Sequence, residues 1–163
     1  MTNYIKDRKP ADDTWTPFTG LEDVDTLPSG NIYVPFEEWN AMRDQLLTRN
    51  SGLGVSLANT DDVAQLADDL DRLDLIVLNF PKMGDGRAFT QARLLRERYG
   101  YTGEIRAVGD VLRDQIFYMH RCGFNAFEIR EDQDMQSVLK AFDEMTVTYQ
   151  PAVDEPLPIW RRK

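Results

Sequence analysis

The feature that most constrains the fold is a regular alternation of short apolar runs with amphipathic segments between residues 31 and 150. The runs at 31–35, 53–57, 74–80, 104–108, 126–130 and 146–150 have the length and composition of strands. The segments 36–50, 63–73, 88–99, 111–122 and 133–145 have the pattern of helices. Strands joined by helices pair in parallel through right-handed crossovers, so the sequence predicts an α/β domain with a mainly parallel sheet of about five or six strands.

Two architectures satisfy this alternation. One is an open, doubly wound sheet with helices on both faces. The other is a partial β/α barrel, which leaves exposed sheet edges. We favour the open sheet because a complete barrel usually needs about 200 residues or more, and the chain has 163. Either architecture places the loops that follow the strands on one rim, where ligands normally bind.

Composition shifts divide the chain into three parts. Residues 1–29 are rich in Asp, Thr and Pro and predict an irregular N-terminal arm. Residues 30–150 hold the alternating pattern and predict a single α/β domain. Residues 151–163 contain three prolines and a basic end, which predicts a loose C-terminal tail.

Charge and composition exclude several classes of function. A net charge of −9 argues against nucleic-acid binding and suits a partner with a basic docking face. The sequence has neither a secretory signal nor an apolar run of membrane-spanning length, so we expect a cytoplasmic protein that does not enter a membrane. The single cysteine, Cys122, excludes an internal disulfide and a site built from cysteines alone. No metal site and no cofactor motif is evident.

A glycine-rich turn after the strand 74–80 is the first part of a candidate binding site. Gly84 and Gly86 permit close backbone approach, and the following helix directs free amide groups to the same place. Arg87 begins that helix, and Arg106 lies in the next strand. We expect the two arginines to converge at the rim and to hold a small anion or carboxylate, with Asp85 beside them.

Further polar residues follow the strand 104–108. Asp110, Asp114 and Gln115 are placed near the same rim, and with Asp85 the two aspartates are the candidate acids or bases. A purely structural explanation stays open. Ion pairs of Arg106 with Asp85 or Asp110, and helix capping by Asp85 or Asp110, account for these charges without a ligand.

Several motifs in order resemble one bacterial family of unknown function. These are Phe80-Pro81, Asp85 to Arg87, Ala92 to Arg98, Gly103 to Gln115 and Arg121 to Phe124, and the resemblance extends more weakly over residues 30–150. Members of that family are labelled as a probable oxidoreductase of sulfite reduction and tend to be encoded beside the sirohaem sulfite or nitrite reductase subunit. The resemblance carries over no catalytic residues.

The resemblance implies an accessory protein of assimilatory sulfite reduction, and thus of sulfur assimilation and cysteine biosynthesis. Such a protein would assist the sirohaem haemoprotein subunit as its partner. The alternative is a small enzyme that acts on an anionic metabolite at the carboxyl-terminal rim of the sheet, with Arg87 and Arg106 binding the anion. Whether the protein is an enzyme stays open, because the family label is oxidoreductase and the sequence contains no redox motif.

Overall fold

A computed structural model describes residues 3–20, 27–82 and 85–143 of the chain. Its strands are β1 (Tyr4–Lys6), β2 (Lys9–Pro10), β3 (Thr16–Pro17), β4 (Ile32–Pro35), β5 (Leu53–Leu57), β6 (Leu75–Phe80), β7 (Glu104–Gly109) and β8 (Ala126–Glu128). Its α-helices are α1 (Phe36–Leu46), α2 (Arg87–Arg93), α3 (Arg113–Cys122) and α4 (Met135–Ala141). A 3₁₀ helix spans Val63–Arg72, and α2 continues into a π-helical turn over Leu94–Arg98.

All eight strands form one sheet in the order β2-β1-β8-β7-β6-β5-β4-β3. Strands β3 to β8 pair in parallel, and β1 joins β8 and β2 in antiparallel fashion. This confirms the predicted α/β class with a mainly parallel sheet. The sheet is larger than the five or six strands expected, because the N-terminal segment supplies three short strands.

The strand order decides between the two predicted architectures. The parallel strands follow one another in chain order, without the reversal that a doubly wound sheet requires. Right-handed crossovers that always step in one direction place the helices on one face, as in a β/α barrel. The sheet is therefore curled into a half-barrel, and the open doubly wound arrangement that we favoured is wrong.

The two faces of the sheet differ in chemistry. Alternate strand residues, among them Val55, Ile76 and Ile105, pack with the helices in the main hydrophobic core on the convex face. The residues between them point to the concave face. There Glu104 and Arg106 are buried outside that core. The concave face therefore carries the polar side chains of the sheet.

The N-terminal segment that we predicted as irregular crosses the mouth of the half-barrel. It contributes β1 and β2 at one edge of the sheet and β3 at the other, with only residues 11–15 between β2 and β3. Six residue steps span at most about 20 Å, whereas eight strands laid flat would measure about 34 Å across. The short connection therefore requires a strongly curved sheet, and we call residues 11–15 the strap.

Local sequence signals explain several helix ends. Asp62 accepts a hydrogen bond from the Ala64 amide at 2.9 Å and caps the 3₁₀ helix, at the start that the sequence predicted. Gly123 ends α3 with a φ of 115°, a left-handed conformation that favours glycine. Helix α3 begins at Arg113 with Leu112 at its N-cap position, so the N-cap role considered for Asp110 is wrong.

Some expectations fall on residues that the structure does not describe. The strand predicted at 146–150, the tail at 151–163 and the site residue Gly84 all lie outside the described ranges. Within those ranges, no helix combines the length and the apolar character needed to cross a bilayer.

Candidate functional site

A cavity of about 620 Å³ opens on the concave face at the carboxyl ends of the parallel strands. Each of five successive strands contributes a lining residue: Tyr33 from β4, Ser56 from β5, Asn79 from β6, Val108 from β7 and Glu128 from β8. The strand register places these residues on the face opposite the helices. This is the position at which β/α barrels bind their ligands, and the volume is in the range of small-molecule sites.

The rim beside the cavity is shaped by a glycine and a buried amide. Gly109 ends β7 with a φ of 90°, and a Cβ atom there would lie 2.4 Å from the Phe80 carbonyl oxygen. Only glycine fits this position. On the other side, the Gln91 side-chain amide donates to the carbonyl oxygens of Ala58 and Asp61, both at 2.9 Å. Helix α2 thereby holds the loop that follows β5.

The charge of the lining is negative. Glu37, Asp61 and Glu128 line the cavity, and among the described lining residues there is no lysine, arginine or histidine. The Asp61 carboxylate also accepts a hydrogen bond from the Ala58 amide at 2.7 Å, which fixes it in the loop. The cavity therefore favours cationic or neutral polar groups over anions.

Arg106 lies on the same concave face and is fully buried. It donates two parallel hydrogen bonds to the Asp13 carboxylate, each 3.0 Å long, and two to Glu104 Oε1 at 3.1 and 3.3 Å. Glu104 in turn accepts a hydrogen bond from the Tyr4 hydroxyl and pairs with Lys6 at 3.1 Å. We call these five residues the latch, because Asp13 lies in the strap and the other four lie in strands.

Aromatic rings enclose the guanidinium group of the latch. Arg106 Cζ lies 4.4 Å from the centroid of the Tyr4 ring and 6.0 Å from that of Tyr33. Burial raises the pKa of both tyrosines. Burial alone would lower the pKa of Arg106, but the hydrogen bonds to Asp13 and the negative charges of Asp13 and Glu104 outweigh it and raise that pKa.

The predicted glycine-rich turn holds a separate ion pair. Arg87 donates to Asp85 through Nε at 3.1 Å and Nη2 at 2.9 Å, and Asn59 donates to the same carboxylate at 2.7 Å. Hydrogen bonds from the Arg87 side chain and backbone lower the pKa of Asp85 to about 2. The Asp85 carboxylate also accepts from the Arg87 amide at 3.3 Å, next to the N-cap Gly86. The positive charge of Arg87 is therefore balanced by the negative charge of Asp85.

The two arginines of the predicted anion site belong to different clusters. Arg87 has a side chain that is 60% exposed and pairs with Asp85, whereas Arg106 is 0% exposed and pairs with Asp13 and Glu104. Both of the ion pairs considered for Arg106 are therefore replaced by others. Arg106 is paired within the protein, and its partners are Asp13 and Glu104 instead of Asp85 or Asp110.

The remaining candidate residues are spread along the next loop and helix. Asp110 pairs with Arg130 at 3.3 Å and is about one-third exposed. Asp114 is exposed in the first turn of α3, and Gln115 is half-buried one residue later. None of Asp85, Asp110, Asp114 and Gln115 is among the described residues that line the cavity. Their proposed roles as acid, base or ligand contact stay predictions.

Apart from Arg106, the residues that form the cavity and the latch were not selected by the sequence analysis. Glu104 could have been found, since it lies two residues before Arg106 on the same face of a strand. Tyr33, Asn79 and Glu128 also follow from strand alternation once the concave face is known. Asp13 is 93 positions from Arg106 and carries no local signal.

The one histidine and the one cysteine lie in α3 and do not form a metal site together. Cys122 is buried, and burial raises the pKa of its thiol. His120 packs edge-on against the Phe142 ring at 5.8 Å. In the part of the chain that the structure describes, no group of three or more His, Cys, Asp or Glu side chains could hold a metal ion.

Comparison with known protein families gives one match. Residues 54–160 match the profile of DUF934, which is described as a bacterial protein of unknown function. The matched segment covers the cavity residues from β5 to β8, the turn at Asp85 and the latch residues Glu104 and Arg106. No curated protein matches the chain.

Proposed function

The chain belongs to DUF934, a family of bacterial proteins of unknown function, and on this premise we propose that it is an accessory protein of assimilatory sulfite reduction. In this role it assists the sirohaem sulfite reductase haemoprotein by docking to it and aiding its assembly or its supply of electrons. The support for a link to sulfite reduction is the resemblance of the ordered motifs between Phe80 and Phe124 to proteins that carry this label. The net charge of −9 supports a docking role on a basic partner surface.

The burial and ion pairing of Arg106 favour an accessory role over a catalytic one. An arginine that binds substrate must be reachable from solvent or from a cleft. Arg106 is completely buried and is bonded to two carboxylates, so it holds the strap against the sheet. Other motif residues also stabilise the fold. Arg96 donates to the carbonyl oxygens of Tyr101 and Gly103, both at 2.8 Å.

The experiment is reconstitution with the haemoprotein. We expect the purified chain and the sirohaem subunit to form a complex at micromolar concentration, and we expect added salt to weaken it because the attraction is electrostatic. Analytical ultracentrifugation at about 0.05 and 0.5 M NaCl measures both effects. Absence of a complex at low salt, together with normal growth of a deletion strain on sulfate, would sink the proposal.

The alternative is a small enzyme that acts on an anionic metabolite at the rim. Of the two arginines proposed to bind the anion, Arg87 is the one with an exposed side chain. That side chain is 60% exposed, but it already pairs with Asp85. Complementation of the deletion strain separates the two proposals. The accessory role predicts that Arg87→Ala still restores growth, and the enzyme predicts that this variant fails while remaining folded.

A further inference from the structure

The rim cavity combines an apolar floor with polar walls. Val77 and Val108 lie on neighbouring strands and form part of the floor, together with Phe36 at the start of α1. The walls carry the Ser56 hydroxyl and the Asn79 amide. An apolar surface with a few converging polar groups is the usual construction of a small-molecule site. The ligand class inferred for this cavity does not rest on the docking role proposed above.

Charge selects the class of ligand. Glu37, Glu128 and Asp61 approach the cavity from α1, from β8 and from the loop after β5. The nearest buried cation on the concave face, Arg106, is already bonded to two carboxylates and is absent from the described lining. An anionic ligand would therefore meet three carboxylates and, among the described lining residues, no compensating cation, while an ammonium group would be attracted.

We propose that this cavity binds a small organic cation, namely an aliphatic primary amine whose carbon chain lies on the apolar floor. The ammonium group is held by Glu128 of β8 and Glu37 of α1, which both line the cavity. The hydroxyl of Ser56 and the amide of Asn79 bind a second polar group of the ligand. Tyr33 lines the same cavity.

Three probes of equal length test the charge selectivity. They are 1,4-diaminobutane, 1,4-butanediol and succinate. Each has four carbon atoms, and they carry two ammonium groups, two hydroxyls and two carboxylates, respectively. Amide resonances of the ¹⁵N-labelled full chain are followed during titration. We expect the diamine to saturate at millimolar concentration and to shift the amides of Ser56, Asn79 and Val108. The diol should bind more weakly, and succinate should leave these resonances unchanged.

Variants distinguish the cavity from general attraction to an acidic protein. Glu37→Gln/Glu128→Gln should raise the Kd for 1,4-diaminobutane at least tenfold. Both of these side chains are exposed, so we expect the double variant to fold. Asp68→Asn is the matched control, since Asp68 is an exposed carboxylate of the 3₁₀ helix outside the described lining. It should leave the Kd unchanged.

Two results would overturn the proposal. One is saturable binding of succinate with shifts in the cavity amides. The other is a diamine response that spreads over the acidic surface and is reduced equally by Asp68→Asn and by the Glu37/Glu128 variant. The haemoprotein complex is measured separately and without amine, so failure of either proposal leaves the other standing.

Discussion

The substitution Arg106→Met tests the latch most directly. Methionine keeps most of the length and apolar volume of the side chain but removes the guanidinium group. Glu104, whose side chain is 4% exposed, would then keep only Lys6 and Tyr4 as partners. Removal of one partner from a buried ion pair typically costs about 3–5 kcal/mol. We expect a loss of that size in the free energy of unfolding, a large part of the roughly 5–15 kcal/mol of an ordinary domain.

Asp13→Asn should cost much less, although it breaks the two shorter bonds of Arg106. The Asp13 side chain is 37% exposed, so its ion pair is screened by solvent. We expect a loss of about 1 kcal/mol, since the amide oxygen of asparagine still accepts one hydrogen bond. The latch is therefore asymmetric, and the Glu104 side of it carries most of the stabilisation.

The double variant Glu104→Gln/Arg106→Met supplies the decisive comparison. If the loss in Arg106→Met arises from a buried carboxylate left without its partner, neutralising that carboxylate restores part of the stability. We therefore expect the double variant to be more stable than Arg106→Met alone. Urea unfolding followed by tryptophan fluorescence measures all variants. Arg98→Met, at an exposed arginine, is the control and should change the free energy by less than about 0.5 kcal/mol.

Two outcomes would refute this reasoning. A loss below about 1 kcal/mol in Arg106→Met would mean that the buried pair contributes no more than a surface pair. Additive losses in the double variant would mean that Glu104 is stabilised by Lys6 and Tyr4 without Arg106.

Three further predictions concern the rim and the core. Gly109→Ala should lower the free energy of unfolding in urea by about 2–3 kcal/mol, because its Cβ would meet the β6 backbone. Gly100→Ala is the control: this residue has a φ of 66° but open space around it, so the substitution should cost only about 1 kcal/mol. The Asp85 carboxyl should titrate at a pKa of about 2 by NMR, and Arg87→Met should raise that pKa toward 3.8. Since the folded-state pKa is depressed, the stabilisation from Asp85 is present above about pH 4 and is lost as the pH falls through 2. Cys122 should react with a thiol reagent only after unfolding, because the thiol is buried and its pKa is raised.

The alternation of strands and helices was predictable because it depends on local periodicity. The runs around Val55, Ile76 and Ile105 are apolar on the face that meets the helices, and the parallel pairing follows from the crossovers. Helix ends were predictable where one residue decides them, as at Asp62 and Gly123. These features need no knowledge of the distant parts of the chain.

The order of the strands in the sheet was not predictable from local periodicity. Periodicity is identical in a doubly wound sheet and in a barrel segment, and what separates them is the curvature of the whole sheet. The strap imposes that curvature through contacts between positions far apart in sequence. The partner of Arg106 was missed for the same reason, since Asp13 lies 93 positions away in the sequence.

The latch and the cavity are linked by the curvature of the sheet. Tyr33 and Arg106 lie on β4 and β7, three strand spacings apart, a separation of about 14 Å in a flat sheet. Their side chains nevertheless approach to 6.0 Å, measured from Arg106 Cζ to the ring centroid of Tyr33. Tyr33 also lines the cavity. Because the same curvature brings β4 toward β8, a flatter sheet would separate the carboxylates of Glu37 and Glu128. Arg106→Met should therefore weaken amine binding at the rim if it flattens the sheet, whereas Asp13→Asn should weaken it less.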